Sequence, residues 1–216
     1  HQANVDFAVL GTEESSTGDA AKRAGNEFLF QMQAMMNIEV LNGYEVKKIV
    51  TCDPHSFNTL KNEYPTLGGK YEVFHHTQFI QNLVTEGRLK IDDTILKGKR
   101  VTFHDPCYLG RANDVYQSPR EIIKKLGVNL TEMKRSKESA LCCGAGGAQM
   151  FKDAEKGDKE INVLRTEDAL ETKPNIIATG CPYCNTMMTD GIKFKEKEAE
   201  VKVKDIAELI AEANNL

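Results

Sequence analysis

Five of the six cysteines lie in the C-terminal half of the chain, and their spacing constrains the fold more than any other feature. Cys142 and Cys143 follow Cys107 after 34 intervening residues, and Cys181 and Cys184 follow after a further 37. Each group stands where a predicted strand gives way to a loop, in the stretches TFHDPC, ALCC and IATGC. The carboxyl ends of parallel strands share one edge of a sheet, so these three loops can converge on one point.

The remainder of the chain alternates strand-like and helix-like segments, which predicts an α/β fold with small, mostly parallel sheets flanked by helices. Apolar residues at helical spacing predict a long helix over 19–44, a helix over roughly 155–172 and a last helix from about 204. The charge-alternating stretch 193–204 is interpreted as a solvated linker or surface. Apolar runs predict strands in the segments 5–11, 46–52, 71–77, 100–105, 129–134 and 175–180.

A weak internal repeat relates the two ends of this pattern. The stretch KKIVTCDPHSFNT aligns with NIIATGCPYCNTM, which places Asp53 opposite Cys181 and Ser56 opposite Cys184. Upstream, TEESSTGDAA precedes the first strand–helix–strand unit where ALCCGAGGAQ precedes the second. The repeat therefore indicates a duplicated unit.

We predict two pseudo-symmetric halves on this basis. The first half covers residues 1–98 and carries Ser15, Ser16, Asp53 and Ser56 instead of cysteines, while the second covers residues 99–216 and keeps its cysteines. A chain of 216 residues, 40% of them hydrophobic, can bury the core of one domain or of two small halves.

The chemistry of five converging thiols points to a metal centre. Five thiolates at one place repel one another strongly unless cations lie between them. A structural zinc site closes tetrahedrally with four ligands and leaves one thiolate over, whereas an iron–sulfur cluster shares several irons among thiolate ligands. Gly144, Gly146 and Gly147 would let the backbone approach such a cluster and direct amide N–H groups at its sulfurs.

Two alternatives remain open from the residues alone. The cysteines could hold zinc in a structural module that docks partners within a larger redox complex. The Cys-Pro-Tyr-Cys stretch is also the dithiol sequence of glutaredoxins, although only 32 residues follow Cys184 and that motif normally stands near the start of its domain.

His104 is a candidate catalytic residue because it stands three residues before Cys107 at a predicted strand end. It could donate a proton to a substrate thiolate, donate a hydrogen bond to the metal centre, or order the loop through hydrogen bonds. Cys52, outside the cluster of five, is interpreted as a small buried hydrophobic residue.

The charge and hydropathy of the chain exclude several classes of function. The net charge of −4 and the absence of a basic stripe argue against nucleic acid as a partner. We expect no membrane span in this chain and no secretory signal, because no apolar run has the required length. We therefore expect a cytoplasmic location.

The stretches HDPCYLGR, LCCGAGG and CPYC together resemble the cysteine-rich CCG domain of the heterodisulfide reductases. Similar domains occur in the iron–sulfur subunits of glycolate oxidase and of anaerobic glycerol-3-phosphate dehydrogenase, and in thiol:fumarate reductase. The family usually carries two copies, and STGDAAKRAGNEFLFQ and DPHSFNTLKNEYP resemble the first copy.

This resemblance implies an iron–sulfur subunit of an oxidoreductase that acts on a small thiol, disulfide or related redox substrate. It implies redox partners that carry cubane clusters or flavin, and membrane association only through such a partner or a missing segment. It also implies a non-cubane [4Fe–4S] cluster held by Cys107, Cys142, Cys143, Cys181 and Cys184.

Overall fold

Two parallel β-sheets form the framework of the chain in a computed structural model, which describes residues 2–153 and 156–216. The smaller sheet pairs β1 (Lys48–Thr51) with β2 (Glu72–His75). The larger sheet consists of β3 (Arg100–Phe103), β4 (Asn129–Leu130), β5 (Ile176–Thr179) and β6 (Lys202–Asp205). Its strand order is β4-β3-β5-β6, and every neighbouring pair is parallel. These two sheets, flanked by helices, confirm the predicted α/β class.

The flanking helices are α1 (Asp19–Arg23), α2 (Glu27–Gly43), α3 (Pro54–Asn58), α4 (His76–Thr85), α5 (Gln117–Lys125), α6 (Ile161–Glu171), α7 (Pro182–Phe194) and α8 (Ile206–Ala213). A π-helical turn over Thr59–Glu63 and a 3₁₀ turn over Tyr64–Leu67 continue α3. None of the helices in the described ranges is long and apolar enough to cross a membrane.

The larger sheet lies between two helical layers, and β5 shows this arrangement most clearly. Ile176 and Ala178 pack in one apolar cluster with residues of α5 and α8, whereas Ile177 packs in another with residues of α6 and α7. Successive side chains of a strand point to opposite faces, so a strand covered on both sides is apolar throughout. This burial fixes the position of the loop that follows β5.

The predicted strand over 5–11 is wrong. This segment is irregular and ends in a 3₁₀ turn over Gly11–Glu13, with Phe7 61% and Val9 76% exposed. An apolar run becomes a strand only where a neighbouring strand offers hydrogen bonds, and the described strand pairs do not include this segment.

Two further predictions needed correction. The predicted helix over 19–44 is two helices, because Gly25 adopts φ +86° between α1 and α2 and Asn26 caps α2 by accepting from the Leu29 amide. The stretch 193–204 is not a simple solvated linker, since β6 begins inside it and pairs with β5. Its alternating charges conceal the alternation of a half-buried strand.

Helix α4 joins the two sheets. Ile80 on α4 packs against the apolar cluster under the larger sheet, and α4 also contacts α5 and α8. At the start of this helix, His76 Nε2 donates to Asp205 Oδ1 at 3.0 Å. The boundary between residues 98 and 99 stays a prediction.

Candidate metal centre

The larger sheet brings the three cysteine loops to one edge. Cys107 lies in the loop after β3, and Cys181 lies two residues after the end of β5, the strand that pairs with β3. Cys142 and Cys143 lie in the long connection between β4 and α6. The carboxyl ends of neighbouring parallel strands thus carry cysteines, as expected from the sequence.

The thiols of the three cysteine loops lie close together. Cys184 Sγ donates to Cys143 Sγ at 3.3 Å. Cys143, Cys181 and Cys184 pack in one buried cluster, and Cys142 packs against it. The electrostatic neighbours of Cys107 include Cys142 and Cys143, so Cys107 lies on the same side.

These contacts divide protons unequally among the sulfurs. Hydrogen bonds from Cys107 and Cys143 hold the pKa of the Cys142 thiol far below its usual value. The interaction with Cys142, together with burial, raises the pKa of Cys143 to about 12 and also raises the pKa of Cys107. Metal ligation requires thiolates, so cations at this place would displace the protons that the thiols now share.

The cysteine group is more deeply buried on one side than on the other. Cys143, Cys181 and Cys184 are at most 4% exposed, whereas Cys107 and Cys142 are half-buried. Their neighbours Ala145, Met150, Tyr183 and Met187 form an apolar wall. Several thiolates in such surroundings need compensating cations, and the half-buried side leaves access to the centre.

The glycine-rich loop shapes one side of this group. Gly144 has φ +96°, a left-handed conformation that favours glycine, and its amide donates to Cys142 Sγ at 3.3 Å. Gly147 also has a positive φ of +67°, and Gly146 lies against the imidazole of His55. Contacts of Gly146 and Gly147 with a bound group stay predictions.

The first turn of α7 supports the other side. Cys181 is the N-cap of this helix, and its Sγ accepts from the Cys184 amide at 3.5 Å. The helix begins at Pro182, so Cys184 lies within the first turn and not before it. The partial positive charge of a helix N-terminus favours thiolates at both positions.

His104 is 1% exposed and lies beside two of the cysteines. One ring nitrogen of His104 and the sulfurs of Cys143 and Cys184 lie within 4.8 Å of one another. His104 Nδ1 accepts from Nε of Arg165 at 2.9 Å, and its Nε2 has no hydrogen-bond partner among residues 2–153 and 156–216. Burial, with the charge of Arg165, lowers the pKa of His104 to about 3, so the ring is neutral near pH 7.

A buried ion network holds the loop between His104 and Cys107. Arg120 donates two hydrogen bonds to Asp105, at 2.7 and 2.9 Å, and also pairs with Glu132. Asp105 accepts in addition from the Lys137 amide at 2.8 Å. These contacts order the loop.

The first half contributes a histidine that the sequence did not single out for this role. His55 donates from Nδ1 to Asp19 at 2.9 Å, and its ring stacks on Tyr108 at 4.2 Å and meets Tyr183 edge-on at 5.5 Å. Tyr108 follows Cys107 directly, and Tyr183 lies between the last two cysteines. Two tyrosines, each adjacent to a cysteine, thus pack around one side chain of the other half.

Other residues depart from the sequence interpretation or were missed by it. Cys52 is exposed, not buried, because it follows the last residue of β1 on the surface. Arg165 was missed although it stands among the buried positions 162, 163, 166 and 169 of α6. A charged residue on the apolar face of a helix is the signal that could have identified it.

The donor set fits an iron–sulfur cluster. Four of the cysteines pack in one cluster and Cys107 has Cys142 and Cys143 among its electrostatic neighbours, so the group has one more thiol than a tetrahedral zinc ion takes. The buried Nε2 of His104 adds an unpartnered polar atom beside them. Sulfur ligands with a nearby hydrogen-bond donor are the surroundings that such clusters use.

Comparison with known proteins identifies relatives over nearly the whole chain. The chain is 50% identical to the probable iron–sulfur-binding oxidoreductase FadF of Bacillus subtilis and 44% identical to the EtfAB:quinone oxidoreductase of Syntrophomonas wolfei, over 99% of its own length and 30% of each relative. It is 35% identical to one of the subunits of the dihydromethanophenazine:CoB–CoM heterodisulfide reductase of Methanosarcina barkeri, over 100% of this chain and 53% of that relative.

The chain therefore spans between about a third and a half of the length of these relatives. The model of the cysteine-rich domain called CCG matches residues 101–189, the part that runs from β3 into α7 and contains all five clustered cysteines. Sequence motif, fold and comparison agree for this part of the chain, and residues 101–189 are similar to the cysteine-rich CCG domain.

Proposed function

We propose that this chain is the cluster-binding part of an iron–sulfur oxidoreductase of the heterodisulfide reductase type. Its C-terminal half would bind one [4Fe–4S] cluster, of the non-cubane kind, through the five clustered cysteines. The observation that carries this proposal is the convergence of the three cysteine loops at the edge of the larger sheet, where Cys143, Cys181 and Cys184 pack together with Cys142 against them and Cys184 Sγ lies 3.3 Å from Cys143 Sγ.

When bound, the cluster supplies one-electron transfer and an iron site for a substrate sulfur. The residues of the chain prepare its surroundings. Cys143, Cys181 and Cys184 hold it from the buried side, and the apolar wall excludes water there. The half-buried positions of Cys107 and Cys142 support access for a substrate or an electron donor from the open side.

One cluster per chain is proposed, because the first half offers oxygen atoms that are already hydrogen-bonded. Asp53 accepts from the amides of His55 and Ser56 at 3.0 Å, and also from the Ser56 hydroxyl at 2.8 Å. Such a carboxylate caps α3 and has no need of a cation. Iron–sulfur clusters prefer thiolate ligands, which these positions lack.

The relatives suggest the class of partner. One is named an EtfAB:quinone oxidoreductase and another a heterodisulfide reductase. We propose that this chain exchanges electrons with a flavin or with cubane clusters of a partner and acts on a small thiol, disulfide or related redox substrate. His104 remains a candidate catalytic residue. Because its ring is neutral, donating a hydrogen bond is favoured over donating a proton.

Metal analysis of anaerobically purified protein tests the proposal. We expect about four irons with a similar amount of acid-labile sulfide per chain. Cys143→Ser should lose most of this iron, whereas Cys52→Ser, the matched control at the exposed cysteine, should keep it. One zinc without sulfide would contradict the proposal and support the structural module, and a metal-free protein with a reactive dithiol would support the glutaredoxin-like alternative.

A further inference from the structure

Arg165 is a fully buried arginine with an unusual set of partners. Its side chain is 0% exposed, and Nη1 donates to the Arg135 carbonyl at 2.7 Å and to Asp168 Oδ2 at 3.4 Å. Its Nε donates to Nδ1 of His104 at 2.9 Å, and Nη2 has no partner in the described part of the chain. Burying a guanidinium is costly unless its charge is used.

The contact with Arg165 fixes which nitrogen of His104 carries the proton. A guanidinium only donates, so Nδ1 of His104 must present a lone pair, and the neutral ring carries its hydrogen on Nε2. That Nε2 is buried and has no acceptor among the described residues, and a ring nitrogen of His104 lies within 4.8 Å of the sulfurs of Cys143 and Cys184. A buried donor without an acceptor costs free energy, so an acceptor is expected on that side.

We propose that Arg165 is a positioning residue for the cluster, acting through His104. It holds the ring in the form that donates from Nε2 to a sulfur of the bound centre, either a cysteine thiolate or an inorganic sulfide. This inference rests on the proposed function, because it requires an iron–sulfur cluster among the five cysteines.

The same pair raises the reduction potential of the centre. Reduction adds negative charge to the cluster, and both a hydrogen bond to sulfur and a buried positive charge stabilise that charge. In this apolar region the interaction is screened far less than it would be at the surface. Arg165 and His104 therefore favour the reduced state.

The geometry argues against His104 as a direct metal ligand with Cys143 and Cys184. Ligation through Nε2 would need a lone pair there while Nδ1 also accepts from Arg165. A ring with lone pairs on both nitrogens is an imidazolate anion. Donation of a hydrogen bond from Nε2 keeps the ring neutral and needs no such anion. A directly bound histidine and a hydrogen-bonded one are distinguishable by spectroscopy.

The ion pairs around Arg165 make its replacement practicable. Asp168 already accepts two hydrogen bonds from Arg135, at 2.8 and 2.6 Å, so Arg165→Met leaves this carboxylate paired. Arg135→Met is the matched control, because it removes a cation from the same network but does not contact His104. His104→Leu removes the donor, and His104→Gln restores an N–H at nearly the same place.

The experiment uses the full chain with its cluster, prepared anaerobically and with ¹⁵N-labelled histidine. Pulsed electron paramagnetic resonance of the wild type should show a weakly coupled histidine nitrogen with an exchangeable proton. This signal should disappear in His104→Leu and change in Arg165→Met. The reduction potential should shift to more negative values in both variants, return toward the wild type in His104→Gln, and stay unchanged in Arg135→Met.

Two results would overturn the inference while leaving the proposed function intact. One is a strongly coupled nitrogen, which means that His104 is a ligand. The other is a loaded cluster with no histidine coupling and the same potential in all variants. If His104→Leu fails to hold iron, the wild-type spectrum decides alone, and a wild type without iron would instead refute the proposed function.

Discussion

The turn at Ser16 in the first half and the turn at Cys142 in the second half share a hydrogen bond and a glycine of positive φ. The Gly18 amide donates to Ser16 Oγ at 3.2 Å, and the Gly144 amide donates to Cys142 Sγ at 3.3 Å. The two glycines have φ angles of +86° and +96°. The same loop therefore presents an oxygen in one half and a sulfur in the other.

The strand–helix units that follow are also alike. In each half a parallel strand pair leads into a helix that begins with proline, Pro54 in α3 and Pro182 in α7, and the preceding residue caps the helix. The strand registers end in corresponding pairs, Thr51 with His75 and Thr179 with Asp205. These correspondences are consistent with the predicted duplication.

The two halves differ in the hydrogen-bond partners of the side chains at these matched positions. In the first half, oxygen atoms of Ser16, Asp53 and Asp19 accept from amides or neighbouring side chains of the same half. In the second half, two sulfurs accept from backbone amides and the Cys143 and Cys184 thiols contact each other, in a group that the side chains of the first half do not form. Similar turns thus lead to a closed hydrogen-bond network in one half and to a cluster of thiols in the other.

The largest expected contrast comes from removing one atom at the matched turns. Cys142→Ala should abolish most iron binding, because the proposed cluster loses one of its five ligands. Ser16→Ala should leave iron content unchanged and reduce the free energy of unfolding by about 1 kcal/mol, the typical value of one hydrogen bond. Iron analysis measures the iron content of the two variants, and urea unfolding measures their stability. Equal iron contents in the two variants would contradict the proposed difference between the halves.

Removing the helix cap in the first half should have a moderate effect. Asp53→Ala should reduce the free energy of unfolding by about 1 to 2 kcal/mol, because α3 loses its N-cap. Iron content should not change, since Asp53 is not a proposed ligand. Asp53→Asn, which keeps an acceptor oxygen, is the control, and a loss of iron in Asp53→Ala would place a cation in the first half.

A third prediction concerns acid sensitivity at the contact between the halves. His75 donates from Nε2 to the Gly180 carbonyl and accepts from Thr77, and burial, with the neighbouring ring of His76, lowers its pKa to about 3. In the unfolded chain His75 binds a proton near pH 6.5, whereas in the folded chain it stays neutral until the pH approaches 3. The contribution of His75 to stability is therefore present above pH 6.5 and is lost as the pH falls toward 3.

Replacing His75 by glutamine should remove this dependence. Between about pH 7.5 and about pH 5.5, one such histidine contributes about 1.4 kcal/mol of lost stability. The fall in unfolding free energy between these conditions should therefore be smaller in His75→Gln by about that amount. An identical fall in variant and wild type would show that His75 titrates normally in the folded chain.

The smallest expected effects distinguish two glycines of the cysteine loop. Gly144→Ala should cost about 1 kcal/mol, because alanine is strained at φ +96°. Gly146→Ala should be close to neutral, since the added carbon would lie at an ordinary 3.7 Å from the His55 ring. Thermal unfolding of the apo protein compares them, and the reverse order would contradict the described loop conformation.

The convergence of the cysteines could be predicted from sequence because it follows from a general rule. Cys107 and Cys181 come after neighbouring parallel strands, and such strand ends meet at one edge. The repeat also placed Asp53 and Ser56 at the positions of cysteines. Local patterns and one topological rule were sufficient for these conclusions.

Contacts between distant segments could not be predicted from the sequence. The stacking of His55 on Tyr108 joins residues 53 positions apart, and no local pattern encodes it. The segment 5–11 has the apolar character of a strand, but pairing depends on a free edge elsewhere. Likewise Arg165 depends on its contact with His104, 61 positions away along the chain.

The most direct test of the account is the count of iron and acid-labile sulfide per chain in anaerobic protein, before and after Cys184→Ala. We predict about four irons and about four sulfides per chain in the wild type and the loss of both in the variant. Zinc without sulfide would contradict it, as would about eight irons of which half survive the substitution, because a second cluster would then lie in the first half.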